Sequence, residues 1–440
     1  MRKKPSRINP VPEGTNISVT KWHLMNLRKQ GMRNWLLEEL SLAFMEARKG
    51  KLKTFNEHSF EVNYPVYLNR LCDAILERHY TPGSSIGFVV WDPMVREIFA
   101  APFLDRVVHH LLYHLNAQWN DDTFIGDSYS CRENKGTLYG VFRVQEMMRE
   151  ASANFTKPAY IVKLDIKGFF MSLSREKLLE TVLKCLKRQY DEYQAAFPRE
   201  VRQLYQLNKF LWTKIIMDDP LSHVTWRCGV KERSMVPYEK SLLHQKKGYG
   251  IVIGNLTSQL LSNIFLNRLD HFVTEELGYQ YYGRYVDDFF IIVPEEEYEQ
   301  AKCDVKIIEQ FLREELQLQL HPKKRYYQSI YRGVTYLGVK IYPHCLYPGN
   351  RLQGKFRRAV AGLALKQTNN ETMNSYLGLF KHLDGRKFVK RVFRQYGVCM
   401  ELYDEWMRES GNRRKSNEIV DEMRAQAERY RGKNTRSPKK

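Results

Sequence analysis

"YYGRYVDDFFIIV", Tyr281 to Val293, sets two adjacent aspartates inside a run that is otherwise aromatic and β-branched. The arms 280–285 and 289–293 read as strands, with Asp287 and Asp288 between them at the end of a sheet. Neighbouring carboxylates repel, and keeping both ionised beside an apolar sheet costs free energy unless a cation neutralises them. Hard divalent ions bound through oxygen suit such a pair, Mg²⁺ best of all where substrate phosphates complete its shell. Asp is also common in plain hairpin turns, so the pair alone is weak evidence.

A third carboxylate strengthens it. In "PAYIVKLDIKGFF", Tyr160, Ile161, Val162 and Leu164 form a short buried strand that leads up to Asp165. If that strand pairs with the hairpin, Asp165 and Asp287 meet at one sheet edge. Three carboxylates there can hold two ions about 3.5–4 Å apart for in-line phosphoryl transfer.

The 440-residue chain allows two or three compact units, and its 43% apolar content is enough for real cores. A net charge of +20, spread along the sequence, favours polyanionic partners, nucleic acid ahead of membrane lipid. The seven cysteines show no C-x-x-C pair, which argues against a zinc ribbon or a disulfide frame. "MRKKPSRINP" is basic but has no apolar region after it, and no stretch is long enough to span a bilayer. A soluble, cytoplasmic protein without membrane contact is the expectation.

Residues 1–20 read as a flexible basic arm and 21–90 as a mainly helical segment, closing on a short β-like run at Phe88–Trp91. "REIFAAPFLDRVVHHLLYHL" reads as helix within a unit over 91–158. Residues 159–345 carry the strands, with an insertion at about 186–250 whose structure the pattern does not define. Asp218 and Asp219 read as the end of a helix before Pro220. A helix opens near Ser174 with Glu176 in its first turn. "GNLTSQLLSNIFLNRLDHF" reads as an amphipathic helix along Leu261, Phe265, Leu269 and Phe272, capped by Asn255 or Thr257. Residues 350–410 are helical, and 411–440 read as a basic, partly disordered tail. His109 and His110 lack a partner at metal-binding spacing, so packing is their expected role.

These segments, in this order, resemble a reverse transcriptase over about Tyr80 to Arg391. "YVDD" is similar to that family's Y-x-D-D, and "LDIKGFF" to the strand that bears its first metal-binding aspartate. The closest likeness is to the diversity-generating retroelement group, through "REIFAAPFLDRVVHH", "DSYSCRENKGT", "VPYEKSLL", "IVIGNLTSQLLSNIFLNRLDHF" and "SYLGLFKH". More broadly it resembles group II intron and retron-like bacterial enzymes. The resemblance implies an α+β right-hand polymerase with palm, fingers and an all-α C-terminal thumb.

It also implies roles. Asp165 and Asp287 would hold two Mg²⁺ ions (with Mn²⁺ able to substitute), helped by the Ile166 carbonyl, and Asp288 would complete the cluster. Phe170 matches the ring that disfavours a ribose 2′-hydroxyl, with Phe169 beside it in the core. Arg132 and Lys135 match residues that hold the incoming triphosphate, although a solvated charged turn fits them nearly as well. Ile253, Gly254, Asn255, Gln259 and Tyr285 would line the nucleotide site. Ile253 stands where relatives carry Gln. Lys323 or Lys324 would protonate pyrophosphate, and Tyr336, Leu337 and Gly338 would grip the primer. For Arg96 and Arg106, phosphate contact and structural pairing are equally open.

The implied partners are template RNA, a DNA or RNA primer, dNTPs and a small basic accessory protein in a bacterial or phage setting. The implied activity is error-prone copying of a template-repeat RNA. A reverse transcriptase of an antiviral-defence or retron-like system, or a catalytically inactive nucleic-acid-binding scaffold, are the competing readings.

Overall fold

The computed structural model describes residues 17–49, 55–92 and 94–435, with the side chains of 55–62 and 433–435 not described. The arm expected over 1–20 lies largely outside these residues; by Val19 the chain is helical, capped by the Ser18 side chain on the Lys21 amide.

Among the described residues there are ten strands. In chain order they are β1 Ile86–Val90, β2 Arg96–Ala100, β3 Ala159–Asp165, β4 Thr225–Trp226, β5 Tyr281–Tyr285, β6 Asp288–Pro294, β7 Tyr326–Ser329, β8 Val334–Tyr336, β9 Val339–Ile341 and β10 Leu346–Pro348. The palm is the four-stranded antiparallel sheet β5-β6-β3-β7. Its residues alternate between two cores, as a period of two requires. Val162, Leu164, Tyr282, Phe289, Ile291 and Val293 face a core shared with the N-terminal helices and the helices around the insertion. Ala159, Ile161, Phe290 and Ile292 face a second core, shared with the hairpin β8–β9 and the C-terminal helices. Burial on both faces explains why the strands read as continuous apolar runs.

The N-terminal segment is helical over Val19–Gln30, Met32–Ala47 and Phe55–Leu76. "REIFAAPFLDRVVHHLLYHL" divides into two elements. Arg96–Ala100 is strand, paired with β1, and the helix is Phe103–Thr123. Pro102 is the boundary: it lacks an N–H and biases the residue before it toward extended backbone. Glu97 and Phe99 point inward from β2, and the Glu97 carboxylate accepts from Ser241 Oγ (2.6 Å) and the Leu242 amide (2.8 Å).

The insertion has a definite structure. Helix Arg175–Asp191 opens on Ser174, whose side chain accepts from the Lys177 amide, and packs against helix Pro198–Met217, which ends at Asp218. Trp212 of that second helix is wholly buried. The chain then supplies β4, parallel to β1 with Gly87 opposite Trp226. A Cβ on Gly87 would lie 2.6 Å from the Trp226 ring, so only glycine admits the indole. "KFLWTKIIMDDP", 209–220, is thus the end of that second helix, with Leu211, Trp212 and Ile216 buried in the first core.

The helix Leu256–His271 is not amphipathic. Thr257, Ser258, Leu260, Leu261, Ser262, Asn263, Ile264, Phe265, Leu266, Leu269 and Asp270 are buried around its circumference, and its small polar side chains bond within the core. Asn255 occupies its N-cap position without a side-chain capping bond.

Beyond β10 the thumb is helical over Asn350–Leu363, Asn370–Phe380, Arg386–Gln395 and Met400–Glu409. The segment expected as a tail forms a further helix, Arg413–Thr435, with Ile419, Val420, Met423 and Ala427 buried in the second core. Their helical spacing supplies an apolar stripe that a strongly basic composition conceals. Lys355 of the thumb pairs with Asp92 beyond β1 at 2.8 Å, so the two outer units approach across the palm. No helix among the described residues is long and apolar enough to cross a membrane.

Candidate active site

β3 and β6 run antiparallel in a register that sets Asp165 opposite Asp288. Residues directly opposite in such a pair project from the same face, with Cβ atoms about 4.5–5.5 Å apart. One residue on, the Ile166 amide donates to the Asp287 carbonyl at 3.0 Å, tying the end of β3 to the turn. The Ile166 side chain anchors in the first core. Three carboxylates thus gather at one end of the palm sheet.

Two lysines meet them. Lys324 Nζ lies 2.9 Å from both oxygens of Asp165. Lys163 Nζ lies 3.0 Å from Asp288 Oδ2. Lys163 precedes Asp165 by two positions and so shares its face of β3, a signal that the sequence carried and the motif reading passed over. Lys323 is exposed, with its amide on His321 Nδ1 at 3.2 Å. Burial, reinforced by the charge of Asp165, pushes the Asp287 carboxyl up to about 6. Asp288 is also pushed up to about 6, by burial that outweighs the opposing pull of Lys163. Asp288 Oδ1 is buried with no hydrogen-bond partner. Acids held above their ordinary range, one with an orphaned oxygen, are suited to accept cations.

The turn is built with strain. Val286 sits at φ 56°, a left-handed conformation that costs a β-branched residue about 1–3 kcal/mol. Arg284 holds it there: its Nη1 donates to the Val286 carbonyl at 3.1 Å. The same guanidinium is fully buried and forks onto Asp270, Nε to Oδ1 at 2.6 Å and Nη2 to Oδ2 at 2.5 Å. Tyr282 donates to Asp270 Oδ1 at 2.7 Å. An arginine inside a buried strand is the sequence signal of such a partner.

The residues expected around a nucleotide separate into two groups. Arg132 is bonded within its own segment. It is nearly buried, and its donors are spent on Asp121 (Nε at 2.6 Å, Nη2 at 3.2 Å) and on the carbonyls of Asp121, Ile125 and Ser128. That accounts for all five N–H groups of a guanidinium. Lys135 is likewise engaged, donating to the Gly126 carbonyl and lying over the Tyr139 ring. Both fasten the turn they were expected to project from. Arg106 donates from Nε to the Ala101 carbonyl at 2.9 Å, at the start of its own helix.

Phe170, Ile253 and Gly254 do come together. Phe170 packs with Ile253 against Phe99, Met171 and Leu242, and its carbonyl accepts from the Ile251 amide at 2.9 Å. Phe169 is buried in the first core, edge-on to Phe170. Gly254 sits at φ 124°, a conformation that strains any other residue, and a Cβ there would lie a tight 3.2 Å from Ile98 Cγ2. Strand β2 is held against this segment by the Phe99 amide, which donates to the Ile253 carbonyl at 3.4 Å. Gln259 is exposed, Asn255 lines a cavity of about 50 Å³ behind the segment, and Tyr285 packs on the second core.

Tyr336 is buried where the hairpin β8–β9 meets β6. Its hydroxyl donates to the Asp288 carbonyl at 3.4 Å, and its ring lies edge-on to Phe290 and under Lys163 Nζ. The turn at Leu337 (φ 49°) and Gly338 (φ 85°) has two left-handed residues, the pattern of a tight two-residue hairpin.

The family model for reverse transcriptase (RNA-dependent DNA polymerase) matches residues 95–341, more than half of the chain, from β2 to the end of β9. The chain belongs to the reverse transcriptase family. Among solved structures it is similar to the telomerase of Candida tropicalis, solved in complex with a TWJ fragment of telomeric RNA. The identity there is 12% and the TM-score 0.43, over 84% of this chain. The chain spans 65% of that protein's length. No curated protein matches the sequence.

Proposed function

We propose that the chain is an RNA-directed DNA polymerase that extends a primer 3′-hydroxyl with dNTPs on an RNA template. The observation that carries the reading is the β3–β6 register, which sets Asp165 opposite Asp288 with Asp287 in the adjoining turn. The raised acids and the orphaned Asp288 Oδ1 fit a pair of Mg²⁺ ions, which Asp165 and Asp287 would hold, with Asp288 and the Ile166 carbonyl beside them. When bound, such ions activate the primer hydroxyl and balance charge on the phosphates.

The chain's own groups divide the remaining work. Lys324, on Asp165 in this structure, can deliver a proton to departing pyrophosphate; Lys323 has no comparable position. Phe170 presents a ring edge where a ribose 2′-hydroxyl would clash. Ile253 is apolar where relatives carry an amide, which removes one hydrogen bond near the nascent pair and loosens base selection. The turn of β8–β9 sits against Asp288 to hold the primer end.

Within the family, the likeness of "IVIGNLTSQLLSNIFLNRLDHF" and "DSYSCRENKGT" supports a diversity-generating retroelement enzyme that copies a template-repeat RNA in the cytoplasm with a small basic accessory protein. Primer extension on an RNA template with Mg²⁺ tests the activity. Incorporation abolished by Asp165→Asn and by Asp287→Asn is expected. Failure with every structured RNA and basic partner would favour a nucleic-acid-binding scaffold. A repeat pair differing at adenines beside the gene separates the retroelement setting from a defence or retron-like one.

A further inference from the structure

The helix Phe103–Thr123 carries "HHLLYH", His109 to His114. His109 packs as expected, its Nδ1 sharing a hydrogen bond with Thr257 Oγ1 at 2.8 Å. His110 does not simply pack. Four residues on, His114 stands on the same helix face, and both rings turn toward Glu46 of the helix Met32–Ala47. His110 Nδ1 lies 3.4 Å, and His114 Nε2 2.9 Å, from the same oxygen, Glu46 Oε2. The three ligand-type atoms lie within 4.8 Å of one another.

Two features distinguish this cluster from a surface ion pair. The Glu46 and His114 side chains are more than nine-tenths buried. His110 Nδ1 and His114 Nε2 are both buried and neither is in a hydrogen bond, despite the nearby carboxylate. Buried polar nitrogens without partners are rare, and an ion is one of the standard ways of satisfying them.

We propose that Glu46, His110 and His114 form a binding site for a transition-metal dication of the zinc class, which clamps the N-terminal helices to the fingers helix. Two imidazoles and one carboxylate are a recognised zinc donor set, with ligand bonds of about 2.0–2.2 Å and a fourth position left for water. Tetrahedral geometry at those lengths sets ligand atoms about 3.3 Å apart. The two observed separations from Glu46 bracket that spacing, so small side-chain shifts complete the site. Imidazole donors select Zn²⁺, Co²⁺ or Ni²⁺ over Mg²⁺, which prefers oxygen. The site is therefore chemically separate from the aspartate cluster of the palm.

The test uses the full chain, stripped with chelator and returned to buffer with excess Mg²⁺ to occupy the palm. Zn²⁺ alone is then added, and retained metal is measured after desalting. One zinc per chain is expected, retained by a double Asp165→Asn, Asp287→Asn variant and lost from His114→Gln. Co²⁺ in place of Zn²⁺ should give the strong visible band of a tetrahedral site, absent in His114→Gln. Zn²⁺ should raise the melting temperature of the native chain and leave that of His114→Gln unchanged. Glu46→Gln, neutral and of the same shape, provides a second variant should His114→Gln fail to fold, and should bind zinc at least tenfold more weakly. No retained zinc, or equal retention in a folded His114→Gln or Glu46→Gln chain, overturns the proposal. Polymerase activity persisting in a zinc-free His114→Gln chain would leave the palm reading intact, so the two proposals fail independently.

Discussion

Lys324 Nζ lies 2.9 Å from each carboxylate oxygen of Asp165, across 159 residues of sequence. The adjacent Lys323 has no such contact and is exposed. If Lys324 donates the proton to pyrophosphate, Lys324→Gln should slow single-turnover incorporation by about 10²-fold, the usual scale of general-acid catalysis. Lys323→Gln should stay within about twofold. Equal losses in the two variants would return the question to the undivided lysine pair.

The buried acids set a pH dependence. Asp287 and Asp288 are held near 6 in the folded chain, while an unfolded aspartate titrates near 3.8. Between these values the metal-free folded state binds protons that the unfolded state has released. The contribution to stability is therefore fully present below about pH 4 and lost as pH rises through 6. In chelator, Asp287→Asn should match the native melting temperature at pH 4 and exceed it by about 2 °C at pH 7.5. Saturating Mg²⁺ should close that gap. A gap that is constant across pH would contradict the assignment.

Arg132 offers a sharp contrast between structure and motif. With its donors spent on Asp121 and three carbonyls, Arg132→Ala should cost about 2 kcal/mol of stability, since it strands acceptors beneath the fingers turn. The KM for dNTP in the folded variant should change less than twofold. A tenfold rise in KM at unchanged stability would instead make it a phosphate clamp.

Arg284 should be the more damaging loss. Removing one partner of a fully buried pair costs about 3–5 kcal/mol, and here the strained Val286 turn loses its brace as well. Arg284→Lys keeps the charge but not the fork. It should retain the fold while lowering kcat more than dNTP KM, which steady-state primer extension would resolve.

Ile253 bears on fidelity. It packs with Phe170 in the small cluster under β2, so Ile253→Gln restores an amide without enlarging the side chain greatly. Misincorporation opposite adenine should fall severalfold by sequencing of products. Unchanged error spectra would remove Ile253 from base selection.

The sequence carried the palm clearly because its strands are buried on both faces and its acids lie at their ends, so local pattern and tertiary role agree. It was silent where long-range partners decide. Arg132 and Lys135, two cations beside a glycine, look like a phosphate clamp until the carbonyls of Asp121, Ile125, Ser128 and Gly126 come within reach. Arg96–Ala100 has apolar spacing that suits either helix or strand, and Pro102 decides it. The stripe Ile419, Val420, Met423, Ala427 is hidden among charges. His114 gives no local signal because its partner Glu46 belongs to another helix, and no spacing rule links them.

The palm sheet is a partition between two separately packed interiors, and its alternate side chains belong to different neighbours. A shift of the N-terminal helices or the fingers pushes on Val162, Leu164 and Phe289, while a shift of the thumb pushes on Ile161, Phe290 and Ile292. Both loads converge on β3 and β6, the same two strands that end in Asp165 and Asp288. The packing of the outer units and the geometry of the acidic cluster are in this way mechanically joined through one thin wall.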